Sequence, residues 1–203
     1  MIVIIGGKAG AKIAAQIFSQ KDKIGYIETY LDKAKDEQLF SKLDDGLEYL
    51  KKWNVKYFVA TGDNLIRRMH IEKIIKATNK YPINCIHSSA VVSYSIGYGN
   101  LILANAVINV DAKIGNGTII NSNATVEHDC VIEDYAQISP GATVCGYSKV
   151  KQNTFVGANS TIIPEITIGE NTLIAAGSTV ISDIPSNVMA AGSPAEIKKR
   201  YEI

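Results

Sequence analysis

IGNGTIINSNATVEHDCVIEDYAQI, residues 114–138, returns to Ile or Val at every sixth position: Ile114, Ile120, Val126, Ile132 and Ile138. Taking the same step outward adds Ile96, Ile102 and Ile108 before the stretch. After it come Val144, Val150, Val156, Ile162, Ile168, Ile174 and Val180, fifteen positions in all without a slip. A small residue lies two positions before most of them: Ala106, Ala112, Thr118, Ala124, Cys130, Ala136, Ala142, Ser148, Thr154, Ser160, Thr172 and Ser178. Ile166 is the exception inside the regular stretch, and Tyr94 and Asn100 occupy the slot where it begins.

A helix of 3.6 residues per turn cannot use a period of six. A short strand can, if the chain turns a corner every six residues. The small residue and the branched residue then both face inward. Three strands close a triangular coil of 18 residues, and the coils stack into a β-helix. Fifteen hexapeptides make five coils, a prism on the order of 24 Å tall. Burying each Ile or Val contributes roughly 1.5–3 kcal/mol, so the column supplies tens of kcal/mol against the entropy of ordering the chain.

The first half follows another rule. IVII (2–5), KIGYIE (23–28) and YFVAT (57–61) read as strands, with INCI (83–86) closing the set. AGAKIAAQIF (9–18), EYLKKW (48–53) and DNLIRRMHIEKIIKATNK (63–80) have helical spacing; in the last, Leu65, Ile66, Met69, Ile71, Ile74 and Ile75 form the apolar set. Alternating strand and helix predicts a small Rossmann-like parallel βαβ sheet over residues 1–86, followed by the β-helix over 87–203.

Composition narrows the function classes. A net charge of +1 over 203 residues gives no long-range attraction to nucleic acid or anionic lipid. No apolar run is long enough to span a membrane, and the apolar start MIVIIGG lacks the basic leader of a signal peptide. Cys85, Cys130 and Cys145 are odd in number and have no metal-ligand spacing. They predict reduced thiols in a cytoplasmic protein without a metal.

His128 is the only histidine inside the coils. Val126 and Cys130 fill the two inward slots of its hexapeptide, so His128 projects outward. It is flanked by Glu127 and Asp129, and a carboxylate can fix the tautomer of an imidazole. A solvated surface histidine is the alternative reading of the same residues. In the first half, IIGGKAGAKIA (4–14) is a strand-to-helix junction of the kind that favours anions. Gly6, Gly7 and Gly10 do not make a clean G-x-G-x-x-G, but Glu28 follows at the distance of a ribose-binding acid. A nicotinamide-binding domain therefore competes with other nucleotide-binding roles.

The hexapeptide array, the EHD stretch and ATGDNLIR (60–67) resemble the hexapeptide-repeat acyltransferases. Within these, they resemble the nucleotide-amino-sugar N-acetyltransferases and the related sialic acid O-acetyltransferases. The resemblance covers nearly the whole chain. It implies a left-handed β-helix, acetyl-CoA as cosubstrate, and an N-acetylated nucleotide-linked 4-amino-4,6-dideoxy sugar. It implies His128 as base, with Asp129 as its acid. Gly146, in CGY (145–147), would offer a backbone N–H to the oxyanion. Gln137 stands where relatives carry a second histidine; it keeps a binding role toward acetyl-CoA but cannot titrate. VMAAGSPAEIKKR (188–200) resembles the closing segment that lines the coenzyme A site, with Gly192, Ser193, Pro194 and Ala195 matching.

The nucleotide would lie on the first half, on Gly6, Gly7, Lys8, Gly10 and Glu28, and on Gly62, Asp63 and Asn64 at the next strand-to-helix turn. Arg67 would meet a phosphate, although a solvated helix charge is its default reading. His70 and His87 read as structural, and Cys130 as packing. Relatives form trimers, which implies a homotrimer with coenzyme A between subunits. O-acetylation of a sialic acid, a non-catalytic β-helix scaffold and an NAD-linked first half remain the alternatives.

Overall fold

The computed structural model describes residues 1–6, 9–19, 22–27, 38–93 and 95–202. The chain divides into two compact units, Met1–Cys85 and Ile86–Ile203. Among the described residues no helix is long and apolar enough to cross a membrane.

The first unit is a four-stranded parallel sheet. Its elements are β1 (Ile2–Ile5), α1 (Ala9–Phe18), β2 (Ile24–Ile27), β3 (Gln38–Phe40), α2 (Leu43–Lys52), β4 (Lys56–Val59) and α3 (Asn64–Thr78). The strand order is β3-β2-β1-β4, and β1 pairs in register with both neighbours. All four residues of β1 are buried, as a strand covered on both faces requires. Phe18 of α1 meets Phe58 edge-on, while Gly46 of α2 lies against Ile27. Phe58 and Ile27 point to opposite faces, because Ile4 pairs with Phe58 and Ile5 with Ile27. The two helices therefore cover opposite sides. The chain leaves β1 toward β2 on one side and returns to β4 on the other. The carboxyl ends of β1 and β4 are thus a topological switch point, where open α/β sheets bind ligands.

Two expectations change here. On α3 the buried stripe is Arg67, Ile71 and Ile74, spaced four and three apart. Leu65, Ile66 and Met69 are exposed. The apolar set holds at Ile71 and Ile74 and fails in the first turns, where an arginine occupies the inner face. The second change concerns INCI. Ile83 still donates to the Tyr57 carbonyl of β4, but β5 (Cys85–Ile86) belongs to a β-helix sheet and not to the first one.

The second unit is a three-sided parallel β-helix. From Ser95 to Val180 its two-residue strands pair at an offset of 18, as in Thr125↔Thr143 and Gln137↔Phe155. Among the described residues the faces are sheets of five, six and eight strands. The six-stranded threonine face stacks Thr125, Thr143, Thr161 and Thr179 outward in register. The five-stranded lysine face carries Lys113, Val131 and Lys149. The eight-stranded glutamine face carries Ile119, Gln137 and Phe155. Inside, every repeat Ile or Val from Ile102 to Val180 is at most 4% exposed, and Ile96 is partly buried at the open end.

The coils begin before the periodic stretch. β6 (Val91–Val92) pairs with Val107–Ile108, so the step from Val92 to Ile96 is four residues. The same shortening closes the other end, where Ile184 bridges Ile168 four residues after Val180. The strands Val188–Ala191 and Glu196–Arg200 then pair antiparallel and finish the glutamine face.

A second periodic signal runs through the corners. The third residue of each corner adopts a left-handed conformation, from Gly99 to Gly177 at every sixth position. Asn, Asp and Gly dominate these sites, as the backbone demands. Exceptions are Tyr135, Tyr147 and Glu165.

Candidate active site

His128 sits at the corner between the threonine face and the lysine face. Its ring Nδ1 lies 2.9 Å from Oδ2 of Asp129, with side-chain exposures of 46% and 39%. Asp129 owes its place to two causes. Its φ of 59° is one that Asp tolerates, and that turn folds the carboxylate back beside the preceding ring. Glu127 is engaged elsewhere, accepting from Asn109 Nδ2 at 2.9 Å. The acid facing the imidazole is therefore Asp129. With Nδ1–H donating to this carboxylate, Nε2 carries the lone pair, and it has no partner among the described residues.

One coil above His128, in the same column, stands Gly146. A Cβ there would lie 2.7 Å from Cε1 and 2.9 Å from Nε2 of His128. The absent side chain is what lets the imidazole lie where it does. The Gly146 carbonyl accepts from Glu165 N–H, while its own amide makes no bond among the described residues. At two other corners that amide is capped by the preceding asparagine, as Asn109 Oδ1 does for Val110 and Asn121 Oδ1 for Ser122. Cys145 occupies the capping position before Gly146 and provides no such cap. An amide left without a partner is what an oxyanion donor needs.

Tyr147 follows, its ring edge-on to the imidazole with centroids 5.3 Å apart. On the lysine-face side, a cleft of about 360 Å³ is lined by Ser95, Asp111, Lys113, Asp129 and Val131. Neither Tyr147 nor this cleft was singled out from sequence. The left-handed residue recurring every six positions was the available signal for Tyr147.

The thiols are unsuited to nucleophilic work. Burial pushes Cys85 up to about 12 and Cys130 up to about 11. Cys145 is also raised, by burial and then by the Glu127 charge. Cys130 Sγ donates to the Cys145 carbonyl at 3.1 Å. Among the described residues no group of three or more His, Cys, Asp or Glu stands together as a metal site.

Gln137 is not beside His128 in the chain. It projects from the glutamine face, past the next corner, and its Oε1 is buried without a partner. The closing segment folds over the end of the threonine face. Thr179 N–H donates to the Gly192 carbonyl, and Ala195 N–H donates to the Thr179 carbonyl. Ser193 Oγ lies 3.0 Å from Thr179 Oγ1, and the peptide bond before Pro194 is cis.

In the first unit, Gly6 turns the chain at the end of β1 with φ 67°, and a Cβ on it would meet Thr61 Oγ1 at 2.9 Å. Gly10 is held by packing, since a Cβ would stand 2.4 Å from the Ala60 carbonyl oxygen. Gly7, Lys8 and Glu28 lie outside the described residues. Asp63 caps α3, accepting from Ile66 N–H at 2.9 Å. Arg67 is 1% exposed, which overturns its reading as a solvated charge. Its guanidinium donates to the Thr61 and Gly62 carbonyls and to Asn64 Oδ1. It organises the turn that Gly62 leaves open, a site where a Cβ would meet nothing within 4 Å. His87 Nδ1 accepts from Ser89 N–H at 3.2 Å in a local turn.

Residues 111–146 and 147–182 match the family described as bacterial transferase hexapeptide (six repeats). PerB from Caulobacter crescentus, solved in complex with CoA and GDP-perosamine, is 32% identical, with a TM-score of 0.89 over 97% of this chain and 96% of that one. The chain belongs to the hexapeptide-repeat nucleotide-amino-sugar acetyltransferases. Its β-helix is left-handed, as in that family, and it is an acyltransferase.

The acetyltransferase domain of PglB from Neisseria gonorrhoeae, solved with acetyl coenzyme A, is similarly close. It has 26% identity and a TM-score of 0.88 over 97% of this chain and 98% of that one. WeeI from Acinetobacter baumannii, at 20% identity, shares the fold with a TM-score of 0.82, over 97% of this chain and 99% of that one. A comparison with curated protein sequences finds no match.

Proposed function

We propose that this acetyltransferase moves the acetyl group of acetyl-CoA onto the amine of a nucleotide-linked 4-amino-4,6-dideoxy sugar. The observation that carries the reading is the His128 corner. There an imidazole tied at Nδ1 to Asp129 lies against Gly146, whose amide has no partner among the described residues. PerB, with its CoA and GDP-perosamine, supports the choice of substrates.

The acceptor arrives as an ammonium at neutral pH. His128 Nε2 removes a proton, and Asp129 stabilises the imidazolium that results. The free amine attacks the thioester carbon. Its carbonyl π electrons move onto oxygen, and the Gly146 N–H donates to that oxyanion. The intermediate collapses with loss of the coenzyme A thiolate, which leaves as the thiol once the imidazolium returns a proton. The amide loses its remaining extra proton to solvent.

Acetyl-CoA would run along the threonine face from Thr125 to Thr179, a rise of about 14 Å. Gly192, Pro194 and Ala195 would hold its far part where the closing segment meets Thr179. The nucleotide would sit at the switch point of the first unit, on Gly6, Gly7, Lys8, Gly10, Glu28, Gly62, Asp63 and Asn64. Arg67 would act there by holding the Thr61–Gly62 turn. Because Gln137 projects from a different face than His128, both would serve one acetyl group only if they came from neighbouring chains. A homotrimer with its sites between subunits answers that requirement. A cytoplasmic location fits the supply of acetyl-CoA and nucleotide sugars.

The test is thiol release from acetyl-CoA with GDP-, UDP- and dTDP-linked 4-amino sugars and with a sialic acid, products weighed by mass spectrometry. The reading expects one acetyl group gained by an amino sugar. Turnover confined to the hydroxyl acceptor would overturn it.

A further inference from the structure

We propose that Tyr147 is the acceptor-recognising surface of the His128 corner, its ring packing against the less polar face of the sugar that is acetylated. This deepens the reading above and rests on it.

Tyr147 holds φ at 62°, a conformation that a bulky L-residue avoids. The corresponding site is Asn, Asp or Gly at most other corners. Of the exceptions, Tyr135 has a packing reason, being 5% exposed; Glu165 and Tyr147 are both exposed, Tyr147 at 60%, and Tyr147 is the one set against His128. Its hydroxyl has no partner among the described residues, and its ring contact is with His128. Burial does not account for a bulky side chain in this conformation beside the base, and strained residues cluster at functional sites.

The surroundings say what the ring faces. Val110, one coil below His128 in the same column, is also 53% exposed, so apolar groups flank the base on both sides. Gly146 lets the imidazole lie close against the backbone, where the Tyr147 ring meets it edge-on. Across the corner, Ser95, Asp111 and Lys113 line the polar cleft that Asp129 borders. A pyranose has a C–H face and a rim of hydroxyls. An aromatic ring suits the first and the cleft suits the second.

Steady-state kinetics of the full chain test this, with acetyl-CoA and whichever nucleotide-linked amino sugar the parent acetylates. Tyr147→Asn removes the ring and places a residue suited to the turn, so the melting temperature should stay level or rise. The acceptor KM should increase about tenfold or more. The acetyl-CoA KM and the pH profile of kcat should not change, and Tyr147→Phe should behave as the parent does. An unchanged acceptor KM in Tyr147→Asn would overturn the assignment. So would a fall in kcat alone with a shifted pH profile, which would make Tyr147 a positioning residue for His128. A rise confined to the acetyl-CoA KM would overturn it as well. A parent enzyme that acetylates no amine would defeat the acceptor reading itself, and this assignment with it.

Discussion

A side chain on Gly146 would collide with the ring of His128, since its Cβ would stand 2.7 Å from Cε1. Two residues 18 apart in sequence are thus set one above the other by the coil. The glycine serves the histidine by the room it leaves.

Gly146→Ala therefore separates space from backbone chemistry. The Gly146 backbone lies outside the left-handed region, so alanine is not strained and keeps its N–H. The methyl group must push the imidazole aside. A displacement of about 1 Å is enough to lower kcat about a hundredfold, while circular dichroism should show the fold intact. Parent-like kcat would mean that the position of the ring does not matter.

Asp129→Asn asks whether Asp129 is present for its charge or for its turn. Asparagine already holds the same left-handed site at Asn105, Asn123, Asn153, Asn159 and Asn171, so thermal melting should be unchanged. Without the carboxylate, imidazolium formation loses its stabilising charge, and kcat should fall roughly tenfold to a hundredfold. Unchanged kcat would reduce Asp129 to a corner residue.

Thiol chemistry should be irrelevant to turnover. All three thiols are raised above their ordinary range, Cys130 to about 11 and Cys85 to about 12. A raised thiol pKa leaves the neutral form dominant at pH 7, and reactivity grows only as pH climbs toward that value. Iodoacetamide at neutral pH should leave activity intact, and Cys130→Ala should be active, since Ala112 fills the equivalent slot one coil away. Rapid inactivation at neutral pH would reopen a covalent route.

The β-helix was legible because its core is written as a strict period, and Ile102 through Val180 fall inside as the period requires. Its ends were not, because Val92 to Ile96 and Val180 to Ile184 step by four and break the count. In the first unit the apolar set on α3 fails only in its first turns, where Arg67 is a charged residue buried to hold two carbonyls. Hydrophobic spacing cannot register such a residue. His128 was legible as an outward residue between two acids. Which acid faces it was not, because the answer depends on the left-handed turn at Asp129 and on Asn109 engaging Glu127. Tyr147 breaks a second period, of Asn, Asp or Gly at every sixth position, whose meaning is a backbone angle that the apolar period does not register.

The central claim is that His128 Nε2 takes the acceptor's proton, and the turnover number of His128→Ala tests it most directly. The side chain is outside the core, so the melting temperature should match the parent's. The kcat for acetyl transfer to the amino sugar should drop about 10²- to 10⁴-fold. A His128→Ala protein that folds and acetylates at the parent rate would contradict the account.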